Sequence, residues 1–224
     1  MKLAVFDLDH TLLSGDSDVL WCGFLLARGV LDRASFEARN AEVERAYRAG
    51  SITAQAFSAF YLSTLAGRSR DELGPLRAAF MRECIEPRIP AAAHELVGAH
   101  RGAGDLLVLS TATNRYLVEL TAAALGFEHL IATEPHEADG VFSGRAAGML
   151  NMREGKVARL RDWIAAMRLP DGAIAEATFY TDSINDLPLL QAVGTPVAVD
   201  PDERLRAHAR AHGWRVLHLA REQR

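Results

Sequence analysis

The stretch Leu3-Ala4-Val5-Phe6 is an unbroken apolar run of strand length, and it leads into two carboxylates one residue apart, Asp7 and Asp9. A run apolar on both faces suits a strand buried inside a parallel sheet rather than one half exposed. In open α/β sheets, ligand sites lie beyond the carboxyl ends of the strands, which is where these two acids fall. Anions held that close repel each other, so a shared proton or a bound cation must offset the charge. Over this segment alone, a strand running into an acidic, solvated turn would read the same way.

The pattern recurs. Residues 177–180 form another apolar run, followed by Asp182 and Asp186, and residues 106–109 form a third, followed by Ser110 and Thr111. Lys156 lies between them in Glu154-Gly155-Lys156-Val157. Singly, each has a plainer reading: a solvated lysine in a helix's first turn, helix-capping hydroxyls, and for Asp186 a cap on the helix holding Pro188. Together, Asp7-Leu8-Asp9-His10-Thr11, Ser110, Lys156 and the pair Asp182 and Asp186 follow one another in an order that resembles the haloacid dehalogenase superfamily of aspartate-nucleophile phosphatases. The resemblance spans nearly the whole chain.

Punctuation divides the chain into a core and an insert. A helix over 17–28 stops at Gly29; Asp32 can cap a helix to residue 49, with Gly50 just past its end; Thr53 can cap another that stops near Gly67. Ser69 and Glu72 form a capping-box pattern for a helix to about residue 85, and Pro87 and Pro90 end the series. Helices with no strands between them cannot build a parallel sheet, so residues 15–88 are expected to be a helical insert. A helix over 91–100 returns to the core. Helices over 115–125 and 154–168 then alternate with strands over 130–133, 177–180, 197–199 and 214–217. Asp139-Gly140 signals a hairpin between 132–138 and 141–146. Pro188 suits the first turn of a helix. The expected fold is α/β: a doubly wound, mainly parallel, Rossmann-like sheet over 1–14 and 89–224, with a helical cap over 15–88.

Several function classes are disfavoured. A net charge of −4 gives no electrostatic case for nucleic acid. Cys22 and Cys84 have no Cys-x-x-Cys spacing, which argues against structural zinc and a disulfide framework. His208 and His212 lie one helical turn apart but lack a third ligand, so they read as a solvated helix face. No apolar run approaches membrane-spanning length and no signal-peptide pattern is present, so a cytoplasmic protein without membrane partners is expected. Oligomeric state is not indicated.

The resemblance implies a Mg²⁺-dependent phosphomonoesterase of small phosphorylated metabolites. Asp7 would be the nucleophile and Asp9 the acid and base. Lys156 would neutralise charge, and Ser110 and the Thr111 N–H would donate to the phosphoryl group. Asp7, the Asp9 carbonyl and Asp182 would hold Mg²⁺, with Asp186 behind its waters and Asn185 among the substrate contacts. His10 receives no role. An insert directly after the first motif resembles the phosphoserine-phosphatase-like branch, in which an acid nine residues after the nucleophile binds the substrate ammonium. That position is Asp16, with Asp18 nearby; capping of the first insert helix is the equal alternative for Asp16. The branch's cap arginine should fall near Phe60-Tyr61-Leu62, where none stands; Arg45, Arg48 and Arg68 are other cap arginines. A substrate with an amine but no carboxylate therefore fits better, such as an amino-alcohol phosphate like histidinol phosphate. Phosphoserine, or a non-catalytic binding role on a retained fold, are the alternatives.

Overall fold

The computed structural model describes residues 2–48 and 52–219. Its central sheet contains β1 (Leu3–Phe6), β2 (Leu106–Asn114), β3 (His129–Thr133), β6 (Thr178–Thr181), β7 (Thr195–Val199) and β8 (Arg215–Leu217), with the hairpin strands β4 (Pro135–Ala138) and β5 (Val141–Ala146) apart from it. The spatial order is β3-β2-β1-β6-β7-β8, and every pairing in this sheet is parallel. The chain winds outward in both directions from β1, so the switch point lies at its carboxyl end, flanked by β2 and β6.

Alternation along β1 feeds two cores. Leu3 and Val5 join a cluster with Val108, Phe179 and Ala198, together with Leu160 and Ile164 of α7 (Glu154–Ala166) and Leu189 of α9 (Leu187–Ala192). Ala4 and Phe6 point the other way, into a larger cluster with Leu107, Leu109 and Tyr180. The helices of the insert enter that second cluster. Trp21, Phe24 and Leu25 of α1 (Ser17–Ala27), Leu62 of α3 (Ala54–Leu62) and Leu73 and Phe80 of α4 (Arg70–Phe80) all belong to it. These inner helices therefore share one apolar core with the sheet. Between α1 and α3 lies α2 (Arg33–Arg48), more polar and largely exposed.

Local signals set most boundaries. Thr53 caps α3 and Asp32 accepts from the Ser35 N–H ahead of α2; Ala49 and Gly50 lie outside the described residues. The Ser69–Glu72 capping box is formed, and α4 runs on through a π-helical turn, Met81–Ile85. Pro188 sits in the first turn of α9. α5 (Ala91–Gly102) returns the chain to β2, α6 (Arg115–Ala124) follows, and α8 (Ala173–Glu176) and α10 (Glu203–His212) complete the helices used below.

Three expectations need correction. The hairpin begins at Pro135, because residues 131–133 pair with β2 in the parallel sheet and cannot serve both ladders. The helix capped by Thr53 ends at Leu62, well before Gly67, where the chain turns to bond the hairpin through Gly67 N to the Phe142 carbonyl at 2.9 Å. β2 runs to Asn114 rather than stopping at Leu109, with consequences for the site.

Candidate active site

Asp7 follows β1, and its N–H donates to the Tyr180 carbonyl at 2.9 Å, which prolongs the sheet by one residue. Its carboxylate meets Lys156 Nζ at 2.7 Å, and the same ammonium meets Asp186 Oδ2 at 2.6 Å. The first turn of α7 delivers this lysine, which is 2% exposed. A buried cation persists only when paired, so the plain reading of Lys156 as a solvated side chain is removed. Asp186 also accepts from Thr181 Oγ1 at 2.8 Å and makes no side-chain cap for α9. Thr11 Oγ1, fully buried, reaches both Asp7 (3.1 Å) and Asp182 (3.2 Å) and accepts from the Asp182 N–H (3.0 Å). The first and last acidic motifs, about 170 residues apart, are thereby joined by one hydroxyl.

Asp9 is held separately. Its Oδ1 accepts from the Ser17 N–H at 2.7 Å and from Ser17 Oγ at 2.5 Å; its Oδ2 accepts from Thr113 Oγ1 at 2.7 Å. The sequence singled out neither partner. Thr113 was hidden by the misplaced end of β2: once the strand is extended, alternation puts Thr111 and Thr113 on one face and Ser110 on the other. Thr111 Oγ1 lies 3.5 Å from Asp9, whereas Ser110 accepts from the Asn151 side chain behind the strand. Ser110 and Thr111 are both fully buried and neither lines the cavity described below; Ala112, Thr113 and Asn114 form that wall. Ser110 is therefore not placed to donate to a bound group.

These elements enclose a cavity of about 290 Å³ lined by Asp7, Asp9, Asp182, Asp186, Asn185 and Lys156. Asp16 and Asp18 of the α1 region line it too, as do Phe57, Tyr61 and Leu62 of α3. Asp16 caps α1, accepting from the Val19 N–H at 2.9 Å, and it also lines the cavity. His10 is also on the wall. No cap arginine lines the cavity among the described residues; the side chain of Arg48 lies outside them. The guanidinium-bearing residue present is Arg153, from the loop before α7.

Electrostatically the cavity is overloaded with anions. Burial, then Asp186 and Asp9, push Asp7 up to about 7 against the pull of Lys156. Burial, Asp7 and Asp186 push Asp182 up to about 8. Burial and then Asp16 push Asp9 up to about 6, and burial followed by Asp16 and Asp9 raises Asp18 well above the usual carboxylate range. Lys156 is pushed up as well: despite burial, Asp186 and Asp7 favour its charged form. One lysine among three carboxylates leaves negative charge uncompensated around Asp7 and Asp182. Such an all-oxygen donor set suits a hard divalent cation such as Mg²⁺, which needs few protein carboxylates. Among the described residues, this site included, no three His, Cys, Asp or Glu side chains stand together as a ready-made metal cage, so a cation here would take few carboxylates and complete its shell with water; elsewhere His208 and His212 stack on each other at 4.0 Å.

Comparison with known proteins places the chain among phosphatase-like relatives. The chain is 38% identical to a histidinol-phosphatase of Neisseria meningitidis over 97% of its own length and 99% of the relative's. It is 34% identical to the phosphoserine phosphatase SerB1 of Mycobacterium tuberculosis over 95% of its own length and 69% of that protein's. A solved structure from Bordetella pertussis, of a protein of unknown function, superposes with a TM-score of 0.93 at 44% identity, covering 98% of this chain and 99% of that one. The model of the haloacid dehalogenase-like hydrolases matches residues 4–191, and the chain belongs to that family.

Proposed function

We propose that this protein is a Mg²⁺-dependent phosphomonoesterase that forms an aspartyl-phosphate on Asp7 and prefers phosphate esters carrying a cationic nitrogen. The observation that carries the reading is the junction of Asp7, Lys156, Thr11 and Asp182 at the switch point of the sheet. Mg²⁺ held by Asp7, Asp182 and the Asp9 carbonyl, with Asp186 behind its waters, would neutralise the approaching phosphate. Asp7 attacks phosphorus in line with the leaving oxygen. Asp9, held by Ser17 and Thr113 and with its pKa raised to about 6, can protonate that oxygen and then take a proton from the hydrolytic water. Lys156 keeps Asp7 oriented and offsets charge as phosphorus transfers. The helices of residues 15–88 form the cap over the substrate.

The substrate preference rests on the cap side of the cavity. Asp16 and Asp18 face it with no cap arginine beside them among the described residues. An ammonium satisfies them; a carboxylate would not. Histidinol phosphate has the amine, lacks the carboxylate, and is the substrate named for the 38% identical relative. Phosphoserine is the second reading, supported by the name of the 34% identical relative. No helix among the described residues is long and apolar enough to cross a membrane, and Cys22 and Cys84 are free, which fits a reducing cytoplasmic setting.

Phosphate release from p-nitrophenyl phosphate, histidinol phosphate and phosphoserine, with MgCl₂ and with EDTA, tests the proposal. Histidinol phosphate should give the highest kcat/KM and EDTA should abolish turnover of all three. Release from none of them in MgCl₂ would remove the reading; a lead for phosphoserine would transfer it to the second substrate.

A further inference from the structure

We infer that Arg153 is a substrate-binding residue whose guanidinium holds the phosphoryl group. The inference rests on the phosphatase reading above and adds a contact that the family motifs do not supply.

Arg153 has φ 51° and ψ −126°. It follows Met152 in a turn closed by the Gly155 N–H donating to the Met152 carbonyl at 2.9 Å. These are the angles of the first central residue of a type II′ turn, a position dominated by glycine. The turn is anchored on both sides. Asn151, fully buried, donates to Ser110 Oγ, the Thr111 carbonyl and the Ile131 carbonyl. On the other side, a Cβ on Gly155 would come within 2.1 Å of the Leu150 carbonyl oxygen. An arginine in a glycine conformation at the edge of an active site is retained at a cost to stability, and its side chain is the only part that glycine could not replace.

Charge shows what that side chain serves. The cavity presents the carboxylates of Asp7, Asp9, Asp16, Asp18, Asp182 and Asp186 against two fixed cations, Lys156 and Arg153. Lys156 already donates to Asp7 and Asp186. The Arg153 carbonyl accepts from the Lys156 N–H at 3.1 Å, but its exposed guanidinium, at the border of this cavity and a neighbouring one, has no hydrogen-bond or ion-pair partner among the described residues, and so is the cation available to an incoming dianion. At the Asp16–Asp18 end a guanidinium would compete with the substrate's own cation; at the phosphoryl end, three residues from Lys156, it can offer two parallel N–H donors to phosphate oxygens.

The test compares Arg153→Gly and Arg153→Lys with the parent. Read KM for p-nitrophenyl phosphate and for histidinol phosphate, the inhibition constant of inorganic phosphate, its direct calorimetric affinity in MgCl₂, and Tm. The Gly variant should weaken both esters and inorganic phosphate in parallel by about 10- to 100-fold, with Tm equal to the parent's or higher because the strain is gone. The Lys variant should recover only part of the affinity. Unchanged phosphate affinity in the Gly variant overturns the inference, whether all KM values hold or one ester alone weakens. Calorimetry with inorganic phosphate reads Arg153 without turnover, so a parent that binds phosphate but releases none would refute the phosphatase reading while leaving this contact measurable.

Discussion

The two ends of the cavity are both acidic, but they balance their charge differently. At the end of β1, Asp7 and Asp186 share a lysine that the protein buries for them. At the cap end, Asp9 is held by the hydroxyls of Ser17 and Thr113, and Asp16 and Asp18 stand nearby without a fixed cation beside them in the cavity wall. Hydroxyls orient a carboxylate but do not cancel its charge. One end therefore carries part of its counter-charge in a buried lysine, while the other has only hydroxyls to orient its carboxylates. Under the proposed substrate class, this contrast would set which end takes the phosphate and which the ammonium.

The strongest way to break this comparison is at Asp7. Asp7→Asn should lower kcat by at least about 10⁴-fold while keeping the fold by circular dichroism; retained turnover would remove the nucleophile. Lys156→Met comes next. It leaves two buried carboxylates without their cation and should cost about 3–5 kcal/mol in urea unfolding, whereas a lysine serving only the substrate would leave stability unchanged. At the other end, Asp16→Asn and Asp18→Asn should each raise KM for histidinol phosphate about 10-fold or more and leave p-nitrophenyl phosphate nearly untouched. Asparagine still caps α1, so equal losses on both substrates would deny Asp16 its ligand contact.

The smallest expected effect sharpens the charge argument. Asp9, Asp7 and Asp182 are pushed up to about 6, 7 and 8 in the folded protein, against about 4 for a free carboxyl. Between about pH 4 and pH 8 the native state binds more protons than the unfolded chain, so stability falls as pH rises through that window. The metal-free protein should melt a few degrees lower at pH 8 than at pH 5. Added MgCl₂ should raise Tm more at pH 8, where these carboxylates are ionised. A Mg²⁺ shift of the same size at both pH values would contradict a site built from titrating acids.

Most of the frame was legible in the sequence because its signals are local. Apolar runs of strand length, capping residues such as Ser69 with Glu72, and the glycines between helices each act within a few residues. Alternation could also have separated Ser110 from Thr111, but only with the end of β2 correctly placed. The apolar run ends at Leu109, yet the strand continues through polar residues to Asn114. Hydroxyl-rich β-structure at the rim of a sheet carries no hydrophobic period to read. The insert showed the opposite limit. Its helices were evident, but not their burial in the same core as Phe6 and Leu109, because helical amphipathicity does not say which surface an apolar face will meet.

The amino-acid order by itself determined the strand and helix alternation, the acids at strand ends and the resemblance to the family, since these depend on side-chain type and short spacing. Only the tertiary structure decided that Lys156 is buried between Asp7 and Asp186, that Thr11 joins Asp7 to Asp182, and that Ser17 and Thr113 hold Asp9. Those contacts bring together parts of the chain remote in sequence, and charge balance is a property of that assembled neighbourhood: a carboxylate's cost and usefulness are set by what surrounds it in space.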